Sequence, residues 1–377
     1  MISWREGSVV SLGRSWPGAC EAVVRLAAGA EVRALAYVDL VGSLQVGDRV
    51  LLNATALERG LGTGGYALVV ALPDRLPPDA PAGPGHLVKA RYSPLQTMVL
   101  GADEQESEHH ELLRDADDLD GLPVVVADLH SALPAVLAGV RAAWSGPRPP
   151  RTAYVMTDGG ALPLAFSRTV AGLREAGWLD ATVTVGQAYG GDLEAVSLHS
   201  GLLAARHVLS ADVVVVAQGP GNLGTGTRWG FSGVAAGEAL NAAHVLGGRG
   251  VAALRVSTTD ARARHLGVSH HSLTAVGRVA LAPSDVVVPT VTDEVPVPGG
   301  ADALRAAFRA ARPLLEAGRH ALVDVPADAA LLAALRGTPV GLSTMGRDLE
   351  ADPWPFLAAA VAGVHAAHLT SLPRASR

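Results

Sequence analysis

ADVVVVAQGPGNLGTGTRWGF, residues 211–231, contains the transition from which the fold can be read: an apolar run that breaks into glycine. Val213, Val214, Val215 and Val216, bounded by polar residues, predict a strand buried on both faces, the kind found in parallel sheets. Gly219, Gly221, Gly224 and Gly226 then permit close approach of the backbone to a ligand, and the apolar stretch from Phe231 onward reads as a helix. Strand, glycine loop and helix in this order form an anion-binding layout, because unpaired amides at a helix N-terminus carry partial positive charge. Arg228 adds a two-pronged donor beside the loop. The expected ligand-binding residues are therefore Gly219, Gly221, Asn222, Gly224, Thr225, Gly226, Thr227 and Arg228, with Gln218 at the strand end and Gln187 at the end of another strand.

Gly219, Gly221 and Gly224 match G-x-G-x-x-G after a strand, so the unit is Rossmann-like. The dinucleotide fingerprint is nonetheless incomplete. A ribose-binding acid belongs about 20 residues on, at the end of the next strand; here that strand ends near Ser257 and its first acid is Asp260. Pro220 also occupies the tightest position of the loop.

Working outward, strand and helix patterns alternate from Leu122 to the C-terminus. PVVVAD, TAYVMTD, ATVTVGQ, DVVVVAQ, GVAALRVS, DVVVP, ALVDV and PVGLS read as strands, with Ala/Leu-rich segments such as LPAVLAGVRAAW between most of them. The expected fold class is α/β, a doubly wound and mostly parallel sheet. An eight-strand barrel fits the count, but the uneven connection lengths favour the open sheet.

From Ser8 to Leu72, short β-branched runs (SVVSL, EAVVRL, VRALAYV, RVLLNA, ALVVAL) recur at about ten-residue spacing, the signal of a small antiparallel β-rich, barrel-like domain. NATALERGLGTGGY, residues 53–66, is a glycine loop, and residues 73–86, with five prolines, form an extended connector. LVKARYSPLQTMVL follows as one or two strands, and nine acids between Asp103 and Asp120, beside His109 and His110, read as a solvated face. The expected division is a β-rich domain over residues 1–100, an acidic connector over 101–121 and an α/β domain over 122–377.

The composition excludes several chemistries. A net charge of -6 and no basic, aromatic-studded stripe argue against a nucleic-acid partner. No stretch nears the length of apolar sequence that spans a bilayer, so no membrane partner and a cytoplasmic location are expected. Cys20 is the only cysteine, which removes disulfides and thiolate clusters within one chain. Lys89 is the only lysine, which removes a Walker A loop.

TDGGALPLAFSRTV, VTVGQAYGGDLEAVSLHSGLLAARHVL, VVVAQGPGNLGTGTRWGFSG, GVSHHSLTAVGRVALAP and LSTMGR, with LGTGGY near the N-terminus, resemble the domain of unknown function 3866 family of bacterial proteins over nearly the whole chain. The resemblance marks Asp158, Gln187, Gly191, Asp192, Gln218, Asn222, Thr227, Arg228, His270, His271 and Arg347 as family positions and implies no particular activity.

In an open α/β sheet ligands bind beyond the carboxyl ends of the strands. Those ends carry Asp128 with His130, Asp158, Gln187 to Asp192, Gln218 onward, Ser257 to Asp260 and Ser343 to Arg347. Asp158, Asp192, His270 and His271 are the candidate catalytic acid-base residues, Asp128 and His130 a candidate acid-base pair, and Asp128 and Asp158 equally fit helix caps. His265, His270 and His271, at spacings that do not share a helix face, would need a shaped loop to coordinate a metal, and Arg262 and Arg264 beside them favour an anion. The expected partner is a small phosphorylated or nucleotide-like anion, bound by an enzyme, a non-catalytic sensor or a structural assembly protein; self-association, metal and cofactor are left open.

Overall fold

The structure, a computed structural model, describes residues 1–62, 64–79 and 82–371. Thr63 of LGTGGY and Ala80 and Pro81 of the proline connector lie outside the described residues. Strands β1 (Trp4–Trp16), β2 (Ala19–Leu26), β3 (Glu31–Tyr37), β4 (Arg49–Asn53) and β5 (Ala67–Ala71) correspond to the five β-branched runs. They close a barrel in the order β1-β2-β3-β5-β4, with β4 returning to pair with β1. Alternate residues point inward, so Val9, Val24, Ala34, Val50, Leu52 and Val69 form its core. A ribbon of β6 (Leu87–Lys89) and β7 (Thr97–Val99) follows.

The second body is built on β8 (Pro123–Val126), β9 (Thr152–Thr157), β10 (Ala181–Thr184), β11 (Leu193–Glu194), β12 (Val213–Gln218) and β13 (Arg249–Ala253). A short ribbon, β14 (Val256–Ser257) with β15 (Gly267–Val268), precedes β16 (Asp285–Val291) and β17 (Ala321–Ala327). Eight strands form one sheet in the order β11-β10-β9-β12-β8-β13-β16-β17, every pair parallel. The α/β expectation is borne out. Every residue of β8 and β12 is buried, as their valine runs require of central strands. β17 at the edge has only two of its seven residues buried and carries Asp324 and Pro326, residues an edge tolerates.

One predicted strand is corrected. PVGLS does not join the sheet; Ser343 and Thr344 instead form the two-residue ribbon β18 with β19 (Arg347–Asp348). Pro339 and Gly341 weaken the segment as a ladder strand. The eighth place belongs to Leu193–Glu194, too short to register as a period.

Helices cover both faces. Leu133–Ala143, Ala329–Arg336 and Trp354–Thr370 pack together on one, and Leu198–His207, Ala235–Val245 and Ala301–Glu316 lie on the other. Trp354–Thr370 is buried almost all round, which explains why its sequence lacks an amphipathic stripe. Among the described residues no helix is long and apolar enough to cross a membrane.

The strand order positions the site. From β8 the chain runs outward to β9, β10 and β11, then returns to place β12 between β9 and β8 and continues outward to β13, β16 and β17. The neighbouring pairs β9/β12 and β8/β13 thus send their connections in opposite directions, the arrangement beyond whose carboxyl ends ligands bind in open α/β sheets.

Candidate functional site

At the carboxyl ends of β9 and β12 two glycine loops meet backbone to backbone. A Cβ at Gly160 would strike the Gly219 carbonyl and one at Gly219 the Ala161 carbonyl, each closer than 3.0 Å. Gln218 is buried, and its Nε2 donates to Asp128 O at 2.9 Å and to Asn222 Oδ1 at 3.1 Å, while its Oε1 has no partner.

After Gly219 the chain makes an excursion before any helix forms. A single 3-10 turn at Ser232–Val234 leads into Ala235–Val245, so Trp229 and Phe231 belong to the loop. The loop closes on itself. Leu223 N donates to Ser232 Oγ, Ser232 N to Leu223 O, Thr225 N to Gly230 O and Gly230 N to Thr227 Oγ1. Asn222 Oδ1 accepts from Ser232 Oγ at 2.7 Å, and Gly224 bridges Phe231. Two amides of the stretch expected to face a ligand, Leu223 N and Thr225 N, are therefore spent inside the loop, and Asn222, Thr225 and Thr227 hold its shape.

At the carboxyl ends of β8 and β13 stands a cluster that only the tertiary structure assembles. Asp128 lies 3.9 Å from both Arg255 Nη1 and His271 Nδ1, and Arg255 Nη1 is 3.3 Å from that same nitrogen. His271 stacks flat on Phe231, with ring centroids 3.7 Å apart. His265 and His270 complete the group, their centroids 4.8 and 4.4 Å from His271. Ser269 caps the short helix His270–Thr274 by accepting from His271 N, and its Oγ is 2.8 Å from His265 Nδ1. Burial, reinforced by Arg255, pushes His271 down to about 3 and His265 down to about 4. His270 is lowered by burial, then by Arg264, Arg255, Arg228 and Arg262. Burial pushes Asp128 up, against the pull of Arg255.

The loop and the histidines adjoin. Phe231 belongs to the one and stacks on the other, and a Cβ at Gly226 would sit 3.6 Å from Arg264 Nη2. Behind Arg255 a cavity of about 30 Å³, room for a water molecule, is lined by Asp128, Arg255, Ser257 and Arg347. Arg347 Nη2 donates to Asp260 at 3.0 Å and Arg262 Nη2 to the same carboxyl at 2.8 Å, which holds Asp260 well below the usual carboxylate range. The fully buried Asp352 accepts from Ser257, Thr258 and Thr259.

Gln218, residues 219–228, His270 and His271 are thus brought together. Asp158 is near but turned aside: its Oδ2 accepts from Gln187 N at 2.9 Å. Gln187 in turn holds the ribbon, its Oε1 accepting from Arg91 N and its carbonyl from Ala90 N. Asp192 lies elsewhere. It pairs with Arg174 and accepts from Thr182, which is level with Tyr154, four residues or roughly 13 Å before Asp158 along the strand direction. The chain doubles back after β10 to start β11 alongside it, so a residue read at a carboxyl end stands beside the strand's beginning.

Asp128 and His130 do not form a pair. His130 Nδ1 is 3.0 Å from Tyr154 Oη and Nε2 2.7 Å from Ser167 Oγ, whereas the Asp128 carboxyl faces Arg255 and His271. Burial pushes His130 from its ordinary 6.5 down to about 4. Between those values the unfolded chain binds a proton there and the folded chain does not, so its contribution is whole above pH 6.5 and lost as pH falls toward 4. Denaturant midpoints at pH 7.5 and 5 should accordingly differ less in His130→Gln than in the wild type; equal differences would contradict this. Sequence reading passed over Arg255 and Phe231. A guanidinium at the end of the otherwise apolar GVAALRVS was the available signal.

The family described as "Protein of unknown function (DUF3866)" matches residues 33–363, most of both bodies. No curated protein and no solved structure matches the chain.

Proposed function

We propose that this chain, which belongs to the DUF3866 family of proteins of unknown function, binds a small anionic ligand, phosphorylated or nucleotide-like, between the loop 219–228 and the segment 262–271. One observation carries the reading: the positive charge there is not balanced. Arg255 is answered by Asp128 and Arg262 by Asp260, whereas Arg228 and Arg264 have no carboxylate partner among the described residues. Both nonetheless lie close enough to His270 to depress it. In a chain of net charge -6, two unanswered guanidiniums, Arg228 within the glycine loop and Arg264 beside it, are the chemistry that takes a phosphate or carboxylate. Because the loop uses two of its own amides internally, the guanidiniums become the main donors.

Arg228→Ala and Arg264→Ala should each weaken anion binding by about 1.5–3 kcal/mol, the range for hydrogen bonds to charged groups. Without ligand both should leave the melting temperature near that of the wild type, since neither side chain has an ion pair to lose. The reading is tested by melting-temperature shifts with phosphate, sulfate, nucleotides and sugar phosphates. No stabilisation of the wild type by any of them, or equal stabilisation of both variants, would sink it. Gly221 is a poorer probe, because its φ of +92° strains any replacement. Turnover of a stabilising ligand would make the protein an enzyme, and binding without turnover a sensor.

A further inference from the structure

We propose that His265, His270 and His271 form a binding site for a divalent transition-metal ion of the zinc class, with the remaining coordination position open toward the loop 219–228. The three imidazoles each offer a nitrogen, and these atoms all lie within 4.8 Å of one another. Two nitrogens about 2.1 Å from a tetrahedral zinc stand about 3.4 Å apart, so side-chain closure of under about 1.5 Å completes the set. Three imidazoles with no thiolate suit zinc and its neighbours rather than magnesium or calcium.

The surroundings supply what ligating histidines need. His265 is oriented through Nδ1 by Ser269, which leaves Nε2 for the metal. His271 is fixed in plane by its stack on Phe231. His270 Nε2 is buried and has no hydrogen-bond partner, which is costly unless something occupies it. The second orphan is Asp128 Oδ2, also buried and without a hydrogen bond, 3.9 Å from both His271 Nδ1 and Arg255 Nη1. A metal on His271 Nε2 leaves the ring proton on Nδ1, where Asp128 accepts it; two unsatisfied buried atoms are explained by one ion and its outer carboxylate. Arg255, now 3.3 Å from that nitrogen, then turns wholly to Asp128. With Arg228 and Arg264 nearby, a dication is best tolerated when an anion or hydroxide takes the open position.

The test uses the full chain, stripped with chelator and titrated with zinc, with cobalt as the spectroscopic probe. One metal per chain is expected, with the visible bands of four- or five-coordinate cobalt. His265→Ala and His270→Gln should each lower affinity about 100-fold or more, and Asp128→Asn about 10- to 100-fold. His270→Gln keeps the test valid if other variants fold poorly, because the ring nitrogen Nε2 has no bond to lose. The other group with metal-ligand spacing, the exposed His86 and Glu106 with the buried side chain of Glu104, provides the control: His86→Ala should leave binding unchanged. No zinc bound at micromolar concentration overturns the proposal, as does equal binding by His270→Gln or loss of binding in His86→Ala. Phosphate stabilisation of the chelated protein is scored separately. Its persistence without zinc binding refutes the metal site alone, and zinc binding without any anion effect refutes the anion reading alone.

Discussion

Lys89→Met is expected to destabilise the protein by about 3–5 kcal/mol, the range for removing one partner of a buried ion pair. Lys89 is only 2% exposed, at the end of β6, and its Nζ donates to Ala188 O at 3.0 Å and Ala195 O at 2.9 Å. Glu194 Oε2 is 3.3 Å away and accepts also from Thr184 Oγ1 at 2.7 Å. Burial pulls Lys89 down and pushes Glu194 up, and each opposes the other's shift. Methionine fills the space and strands both the carboxylate and the carbonyls. The pH dependence separates these two losses. A carboxyl raised above its ordinary value in the folded state binds its proton more readily there than in the unfolded chain, so the penalty is full above its folded pKa and shrinks as pH falls through it. Denaturant midpoints should therefore show the Lys89→Met deficit narrowing from pH 7 to pH 5. Lys89→Met combined with Glu194→Gln should lose less than the sum of the single changes. A single variant within 1 kcal/mol of wild type at pH 7 would show that the pair does not pin the ribbon to the sheet.

Gly363→Ala should also destabilise, by about 1–3 kcal/mol as overpacking does, although alanine gains about 1 kcal/mol over glycine in an unhindered helix. The sign is decided by the crossing of Leu133–Ala143 with Trp354–Thr370. A Cβ at Gly363 would run into the Val136 carbonyl, and one at Gly139 into the Ala360 carbonyl, both inside the 3.0 Å that real Cβ atoms keep. The obstacle is backbone on either side, so the helices must separate, and the packed residues Ala359, Ala360 and Val136 separate with them. Thermal and denaturant unfolding of Gly363→Ala and Gly139→Ala measures the effect. Stability at or above wild type in both would mean that the two helices can part without loss.

Lys89 bonds to carbonyls of residues 188 and 195, and a Cβ at Gly363 meets the backbone of Val136 and Val140, none of them an arginine or histidine of the proposed site. A protein weakened in stability but unchanged in anion or metal affinity is the expected result for each, the converse of that expected for Arg228→Ala and Arg264→Ala.

The amino-acid sequence by itself determined the fold class and most of the strands and helices, though not the eighth strand or the start of the helix after the glycine loop. Val213 to Val216 can only be a strand covered on both faces, and the five β-branched runs before Leu72 can only be short strands of a small β body, because burial on one or both faces imprints a local period on the chain. It also marked the glycine loop and His270 with His271, since glycines and clustered imidazoles are chemically conspicuous wherever the chain takes them. Only the tertiary structure decided which conspicuous residues meet. The insertion of β12 between β9 and β8 and the placing of β13 beyond β8 set Asp128 against Arg255 and His271, residues up to 143 positions apart. Doubling back after β10 removed Asp192 from the carboxyl edge, and closure of the loop 219–231 used amides that local reading left free for a ligand. Strand order and loop path depend on which long-range contacts bury the most apolar surface, and no local period records that choice.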